Sequence, residues 1–148
     1  MQQIDYPDKD IWNDRKLWFE AELNRYQHPL ASYTVSDHAT ALLVELQCCY
    51  CAGAFITTLI LAVSIIDAQL RETEALDNKI GTAPLLNKYF SGKDINWLRR
   101  LRNKYVHVDI NNPALTIDLQ YSQREEMEID SKRAIQMVMH AFFQSPGT

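Results

Sequence analysis

The chain has 148 residues and a mass of 17.2 kDa, the size of one ordinary domain, and its 47% hydrophobic fraction is enough to fill a core. Only four Gly and five Pro are present, which excludes a collagen-like or low-complexity chain and disfavours a β-sandwich or barrel, since these folds need a turn about every 8–12 residues. The net charge of −4 disfavours a general nucleic-acid binder.

The first half of the chain is predicted to be helical. Aromatic and apolar residues at helical spacing predict a helix over 10–26, and Ser36 is a good N-cap for the pattern that follows. The pattern leaves open whether residues 36–75 form one helix or two that meet near Gly53. The N-terminal residues contain no apolar run of the secretory type, which favours a cytoplasmic location.

The most apolar part of the chain is the run of 21 uncharged residues between Glu45 and Asp67, long enough by count to cross a bilayer. Both flanking residues are acidic and no Trp/Tyr belt stands at the two ends, so the pattern favours a buried central helix over a membrane span. Three cysteines in this run have no fourth soft ligand nearby, and we interpret them as buried thiols rather than as metal ligands: Cys48, Cys49 and Cys51.

The second half is predicted to add shorter helices. Pro84 is expected to open a short helix, and Asp94 to cap a helix that runs to about His107. The alternation of apolar residues over 114–121 predicts a short extended piece, and Asp130 is expected to cap the last helix.

These patterns predict a single all-α domain over residues 1–148. The chain is expected to form one domain because neither an internal repeat nor a linker interrupts it. The expected architecture is an up-and-down bundle of four to six helices. Residues 1–9 and 145–148 are expected to be flexible.

Segment 88–107 concentrates positive charge on an otherwise acidic chain. It holds six Lys and Arg residues and one acid, Asp94. Arg102 falls at the border of the apolar face of the predicted helix, where a guanidinium needs a carboxylate or a phosphate as its partner. The polar and basic side chains gather on the opposite face: Asn96, Arg99, Arg100, Asn103, Lys104 and His107.

Residues 101–107 read Leu-Arg-Asn-Lys-Tyr-Val-His, and this sequence resembles the signature of HEPN domains, small all-α modules in which an Arg, a polar residue and a His mark the active site. The long apolar segment before it, with Asp67 near its end, is similar to the long helix of that family. The resemblance implies an endoribonuclease that needs no metal or other cofactor, with RNA as its partner. It assigns Arg102, Asn103 and His107 as catalytic and Asp67 as a supporting residue. The positive patch around the motif adds Arg99, Arg100 and Lys104 as expected substrate-binding residues.

The residue types fit this chemistry. The 2′-hydroxyl of RNA is its own nucleophile, so the enzyme needs a proton acceptor near pH 7, which His107 supplies, and a cation for the phosphate, which Arg102 supplies. Asn103 lies one turn before His107 and is expected to orient its ring. The resemblance further implies a homodimer with a composite cleft, and a toxin or defence component restrained by an antitoxin or regulatory protein.

Less specific interpretations stay open. In these alternatives, Arg102 would pair with Asp67 and fix the helix register, and His107 would be only a cation at a helix C-terminus. The basic face would be an ordinary solvated surface. The chain would then be a non-catalytic HEPN-like protein that dimerises and binds nucleic acid or a partner protein. A third hypothesis is an unrelated helical bundle or a small membrane protein.

Overall fold

A computed structural model describes residues 4–147 of the chain. This part is all-α, as the sequence predicted, and consists of seven α-helices, one π-helical segment and two very short strands. In chain order the elements are α1 (Lys9–Tyr26), β1 (Ser32–Tyr33), α2 (Asp37–Ala52), α3 (Phe55–Leu70), the π-helix (Arg71–Ala75), α4 (Thr82–Tyr89), α5 (Ile95–Val106), α6 (Ile117–Ser122), α7 (Arg124–Phe143) and β2 (Pro146–Gly147).

Residues 36–75 form two α-helices, followed directly by the π-helix. The backbone of Gly53 adopts φ 81°, and its N–H donates to the carbonyls of Cys49 and Tyr50 at the end of α2. Glycine adopts this left-handed conformation without a steric penalty, which explains why the long pattern is interrupted here. The chain then turns within two residues and enters α3 at Phe55.

Gly53→Ala is expected to lower the free energy of unfolding by about 1–2 kcal/mol, because an L-residue is strained in the left-handed region. The added Cβ would also lie 3.1 Å from Nη2 of Arg124 and 3.3 Å from Nη1 of Arg15. Urea unfolding followed by circular dichroism measures the loss. Gly81→Ala is the matched control, since Gly81 has φ −68° and its Cβ would meet only Pro84, at 3.7 Å. Equal losses in the two variants would contradict this explanation.

α3 lies at the centre of the fold. It packs against α2 on one side and α7 on another, and α4 and α5 also contact it. Its side chains are buried over most of its circumference, as the uncharged run predicted; among them are Leu59, Ala62, Ile65 and Ile66. Within residues 4–147, none of the helices combines the length and the apolar character that crossing a bilayer requires.

Segment 114–121, predicted to be extended, instead contains the short helix α6. The Thr116 side chain accepts a hydrogen bond from the Leu119 N–H at 3.1 Å and caps the helix, which the alternation of apolar residues did not indicate. This helix is one reason why the described part has more helices than the predicted four to six.

The two acidic residues that were expected to cap helices do not do so with their side chains. Asp130 lies inside α7, which begins six residues earlier because its apolar stripe extends back to the buried Met127. Asp94 is the N-cap residue of α5, but its carboxylate binds Arg133 of α7 at 3.0 Å instead of an amide of its own helix.

The chain end pairs with the connection between α1 and α2. β1 and β2 are antiparallel, with Ser32 opposite Gly147 and Tyr33 opposite Pro146. The prediction of flexible ends falls partly on residues 1–3 and on Thr148, which lie outside the described residues. At the other end of that prediction, residue 9 already begins α1.

The three cysteines of α2 differ in their surroundings. Cys48 is exposed, Cys49 is half-buried and Cys51 is buried, so the sequence prediction of buried thiols is correct for Cys51 but wrong for Cys48. Burial raises the pKa of the Cys49 and Cys51 thiols, and the charge of a Cys48 thiolate would raise both further. Among residues 4–147, no three His, Cys, Asp or Glu side chains are grouped so that they could hold a metal ion.

His140 of α7 is half-buried. Its ring lies between those of Tyr26 and Phe90, with centroid distances of 6.4 and 5.2 Å, and its Nε2 is 2.8 Å from the Ser91 hydroxyl. Burial lowers the pKa of His140 from its ordinary value of 6.5.

The free energy of unfolding is therefore expected to fall as the pH drops below about 6.5, because the unfolded chain then binds a proton more tightly than the folded one. Above that pH the contribution of the neutral ring is fully present. Unfolding in urea at pH 7.5 and pH 5.5 measures the difference. His140→Gln is expected to reduce it and His28→Gln, an exposed control, to preserve it; the opposite pattern would show that another group is responsible.

Candidate active site on helix α5

Helix α5 is held in place by packing on one side and by a side chain of α7 at its N-terminal end. Ile95 and Leu98 are buried, and the helix packs against α3 and α4. At its N-terminal end, Arg133 of α7 binds Asp94 and stacks on Trp97, with its guanidinium carbon 3.8 Å from the ring centroid. The polar side chains of the helix are thus presented on a fixed support.

The C-terminal end of α5 and the loop after it line a surface cavity of about 460 Å³. Four of the sequence-predicted site residues meet here. The helix and its C-cap supply the cations Arg100 and Lys104, the Asn103 amide and the His107 imidazole. The loop supplies the Asp109 carboxylate and the Asn112 amide.

His107 is the C-cap of α5 and is exposed. Its backbone is extended there, with φ −119° and ψ 120°, so its side chain leaves the helical array. Its main-chain N–H donates to the Asn103 carbonyl at 3.0 Å. Among the described residues this main-chain bond is the hydrogen bond that joins the two; the predicted contact between the Asn103 amide and the His107 ring is not formed.

The loop that closes the cavity is ordered by Asp109. Its Oδ1 accepts hydrogen bonds from the main-chain N–H groups of Asn111 at 3.0 Å and Asn112 at 3.3 Å. The carboxylate that faces the cavity is thereby partly used in holding the loop. The two cations and this one acid leave a net positive charge without any contribution from His107, which suits an anionic ligand.

Arg102 lies in a different cavity. It lines a cleft of about 280 Å³ between α2, α3, α4 and α5, whose polar walls also include His38, Ser64, Asp67 and Thr82. The structure therefore brings His107 together with Arg100 and Lys104 within one chain, but does not bring it together with Arg102.

Asp67 pairs with Arg71 rather than with Arg102. Arg71 donates from Nε to Oδ1 at 2.9 Å and from Nη2 to Oδ2 at 3.0 Å, and its Nη1 donates to the carbonyls of Asp77 and Ile80. Burial acts to raise the pKa of Asp67, but the Arg71 guanidinium, the nearby Thr82 and the charge of Arg102 outweigh it and lower that pKa. Arg102 thus acts on Asp67 only through its charge.

The remaining predicted residue, Arg99, is half-buried and does not line either cavity. Sequence reasoning missed Arg71, which binds Asp67, and His38, which lines the Arg102 cleft. Arg71 could have been found as the partner of Asp67 from its spacing of four residues along the helix. His38 carries no local signal, because it reaches the cleft from the first turn of α2 by tertiary packing.

Comparison with known protein families, with curated proteins and with solved structures gives no match for this chain.

Proposed function

We propose that the chain is a metal-independent endoribonuclease of the HEPN type that acts at the cavity formed by the end of α5. The observation that carries this proposal is the meeting of an exposed imidazole, His107, with two cations, Arg100 and Lys104, on an otherwise acidic chain. These groups supply proton transfer and phosphate binding from the protein itself.

The proposed reaction uses the 2′-hydroxyl of the RNA. His107 accepts its proton as the 2′-oxygen attacks the adjacent phosphorus, the bond from phosphorus to the 5′-oxygen of the next nucleotide breaks, and that oxygen takes a proton from water. The products are a 2′,3′-cyclic phosphate and a 5′-hydroxyl end. Arg100 and Lys104 stabilise the negative charge that builds up on the phosphate oxygens.

The cation that assists His107 within one chain is therefore Arg100 or Lys104 in this proposal. Arg102 would join them only from a second copy, in the homodimer that the family resemblance implies. Val108 and Ile110, 82% and 89% accessible, flank the cavity residue Asp109 in the sequence, and their exposed apolar side chains support such an interface. Light scattering at micromolar concentration is expected to give the mass of a dimer, and a monomeric mass would contradict this part of the proposal.

Incubation with single-stranded RNA in EDTA tests the activity. We expect fragments that end in a 2′,3′-cyclic phosphate, and no cleavage of the same sequence when each 2′-hydroxyl is replaced by hydrogen, because the nucleophile is then missing. Cleavage of the deoxy substrate, or a requirement for added metal, would refute the mechanism.

A second candidate is a HEPN-like protein that binds RNA or a partner protein without cleaving it. The separation of Arg102 and His107 into two cavities favours this function, because a single chain then lacks the pair that the motif implies. RNA binding without products in the EDTA assay, at protein concentrations that saturate the RNA, would support it over the nuclease.

A further inference from the structure

The cleft that contains Arg102 has an unsatisfied donor. The Nε atom of Arg102 is buried and has no hydrogen-bond partner in the part of the chain that the structure describes, and the side chain forms no ion pair there. A ligand in the cleft does not reach this inaccessible nitrogen, but the two Nη groups of Arg102 are not buried and also lack an acceptor in the described part of the chain. The guanidinium therefore has hydrogen-bonding capacity that a ligand or solvent must satisfy.

The acid next to Arg102 does not satisfy it. Both carboxylate oxygens of Asp67 accept from Arg71, at 2.9 and 3.0 Å, so the charge of Asp67 is already balanced by a bidentate partner. The positive charge of Arg102 is left over within the cleft.

The other polar groups of the cleft are suited to an oxyanion. His38 comes from α2, Ser64 from α3 and Arg102 from α5, so donors approach from three helices rather than from one plane. Donors in this arrangement match a tetrahedral phosphate better than a planar carboxylate, and the guanidinium fork matches both.

We propose that this cleft is a binding site for a phosphate group, either the free ion or the terminal phosphate of a small molecule. The site is separate from the proposed cleavage site, because none of Arg100, Lys104 and His107 lines it. It gives Arg102 a role that does not depend on reaching His107.

Nuclear magnetic resonance with inorganic phosphate at constant ionic strength tests the proposal. We expect a saturable shift of the Arg102 Nε–H signal and of the Ser64 main-chain amide. In Arg102→Gln the Ser64 shift is expected to disappear. In Arg102→Lys, which keeps the charge but not the fork, it is expected to need several-fold more phosphate. Shifts that do not saturate, or a Ser64 shift that survives in Arg102→Gln, would overturn the proposal.

Two control variants separate this site from the cleavage site. Arg100→Gln changes the charge of the same helix by the same amount, and His107→Ala removes the proposed proton acceptor. Both are expected to keep the phosphate shifts of Arg102, even where they abolish RNA cleavage. Loss of those shifts in Arg100→Gln to the same extent as in Arg102→Gln would show that phosphate binds at the other cavity, and would overturn the proposal without touching the nuclease mechanism.

The form of the ligand is read from three further probes. Methyl phosphate that binds as tightly as inorganic phosphate assigns the terminal phosphate of a larger molecule, and a clear preference for inorganic phosphate assigns the free ion. Dimethyl phosphate and acetate are expected to bind at least about tenfold more weakly, since each carries a single charge. Equal binding of dimethyl phosphate would overturn the proposal in favour of a site for a nucleic-acid backbone.

Discussion

Replacing His107 by alanine is expected to lower the rate of RNA cleavage by at least about 100-fold, the usual contribution of a positioned general base. Binding of RNA is expected to change by only a few-fold, because Arg100 and Lys104 remain in the cavity. Single-turnover cleavage in EDTA measures the rate, and fluorescence anisotropy with labelled, uncleavable deoxy-RNA measures the binding. A variant that binds and cleaves like the wild type would end the case for catalysis at this histidine.

His28→Ala is the matched control, since His28 is exposed and lies in the connection between α1 and α2. It is expected to cleave RNA at the wild-type rate. Both histidines are exposed, so neither variant is expected to unfold the chain. Circular dichroism of the two variants checks this.

Arg102→Ala separates the two ways in which the motif could act. Because Arg102 and His107 line different cavities, we expect a loss of about tenfold or less, far smaller than for His107→Ala. A loss as large as that of His107→Ala would show that Arg102 reaches the same phosphate from a second copy. A mixture of the two inactive variants would then regain about a quarter of the wild-type activity, because half of the dimers are mixed and each has one intact site.

The second large effect is expected where α3 passes into the π-helix. Arg71→Met is expected to lower the free energy of unfolding by about 2–4 kcal/mol, since it leaves the Asp67 carboxylate and the carbonyls of Asp77 and Ile80 without their donor. The side chains of this pair are only 21% and 18% accessible, so water replaces the lost contacts incompletely. Urea unfolding measures the loss.

Asp67→Asn combined with Arg71→Met is expected to recover part of that stability, because the double variant no longer contains an unpaired charge. The exposed pair of Lys16 and Glu20 is the surface control: Lys16→Met is expected to cost less than about 0.5 kcal/mol. If Arg71→Met costs no more than Lys16→Met, the contacts of Arg71 contribute nothing to stability.

The fold class could be predicted because the apolar residues repeat at helical spacing over long segments, as in α1 and α3. The errors have local causes that periodicity does not report. Thr116 caps a helix where alternation indicated an extended piece, and Asp130 looks like a cap although the helix had already begun at Arg124. The sequence left open whether the pattern is interrupted near Gly53, because periodicity does not report the left-handed backbone with which Gly53 ends α2.

The candidate site could be predicted in part. Arg100, Asn103 and Lys104 share one helix face in the sequence and one cavity in the structure, because their spacing follows the helix. His107 joins them as the extended C-cap residue, which the helical pattern did not indicate. The surroundings of Arg102 could not be predicted, because residues of α2, α3 and α4 complete its cleft. Asp67 pairs with Arg71 because the two residues are four positions apart along the chain. The role of Arg102 as the structural partner of Asp67 is therefore excluded.

The contrast among the three thiols of α2 has a practical consequence. Since the thiolate is the nucleophile, a maleimide or iodoacetamide reagent at neutral pH will modify the accessible Cys48 before Cys49 or Cys51, whose burial keeps them protonated. The wild-type chain therefore offers a chemically selective attachment point for a spectroscopic probe, placed on a helix that contacts α3 but away from either cavity.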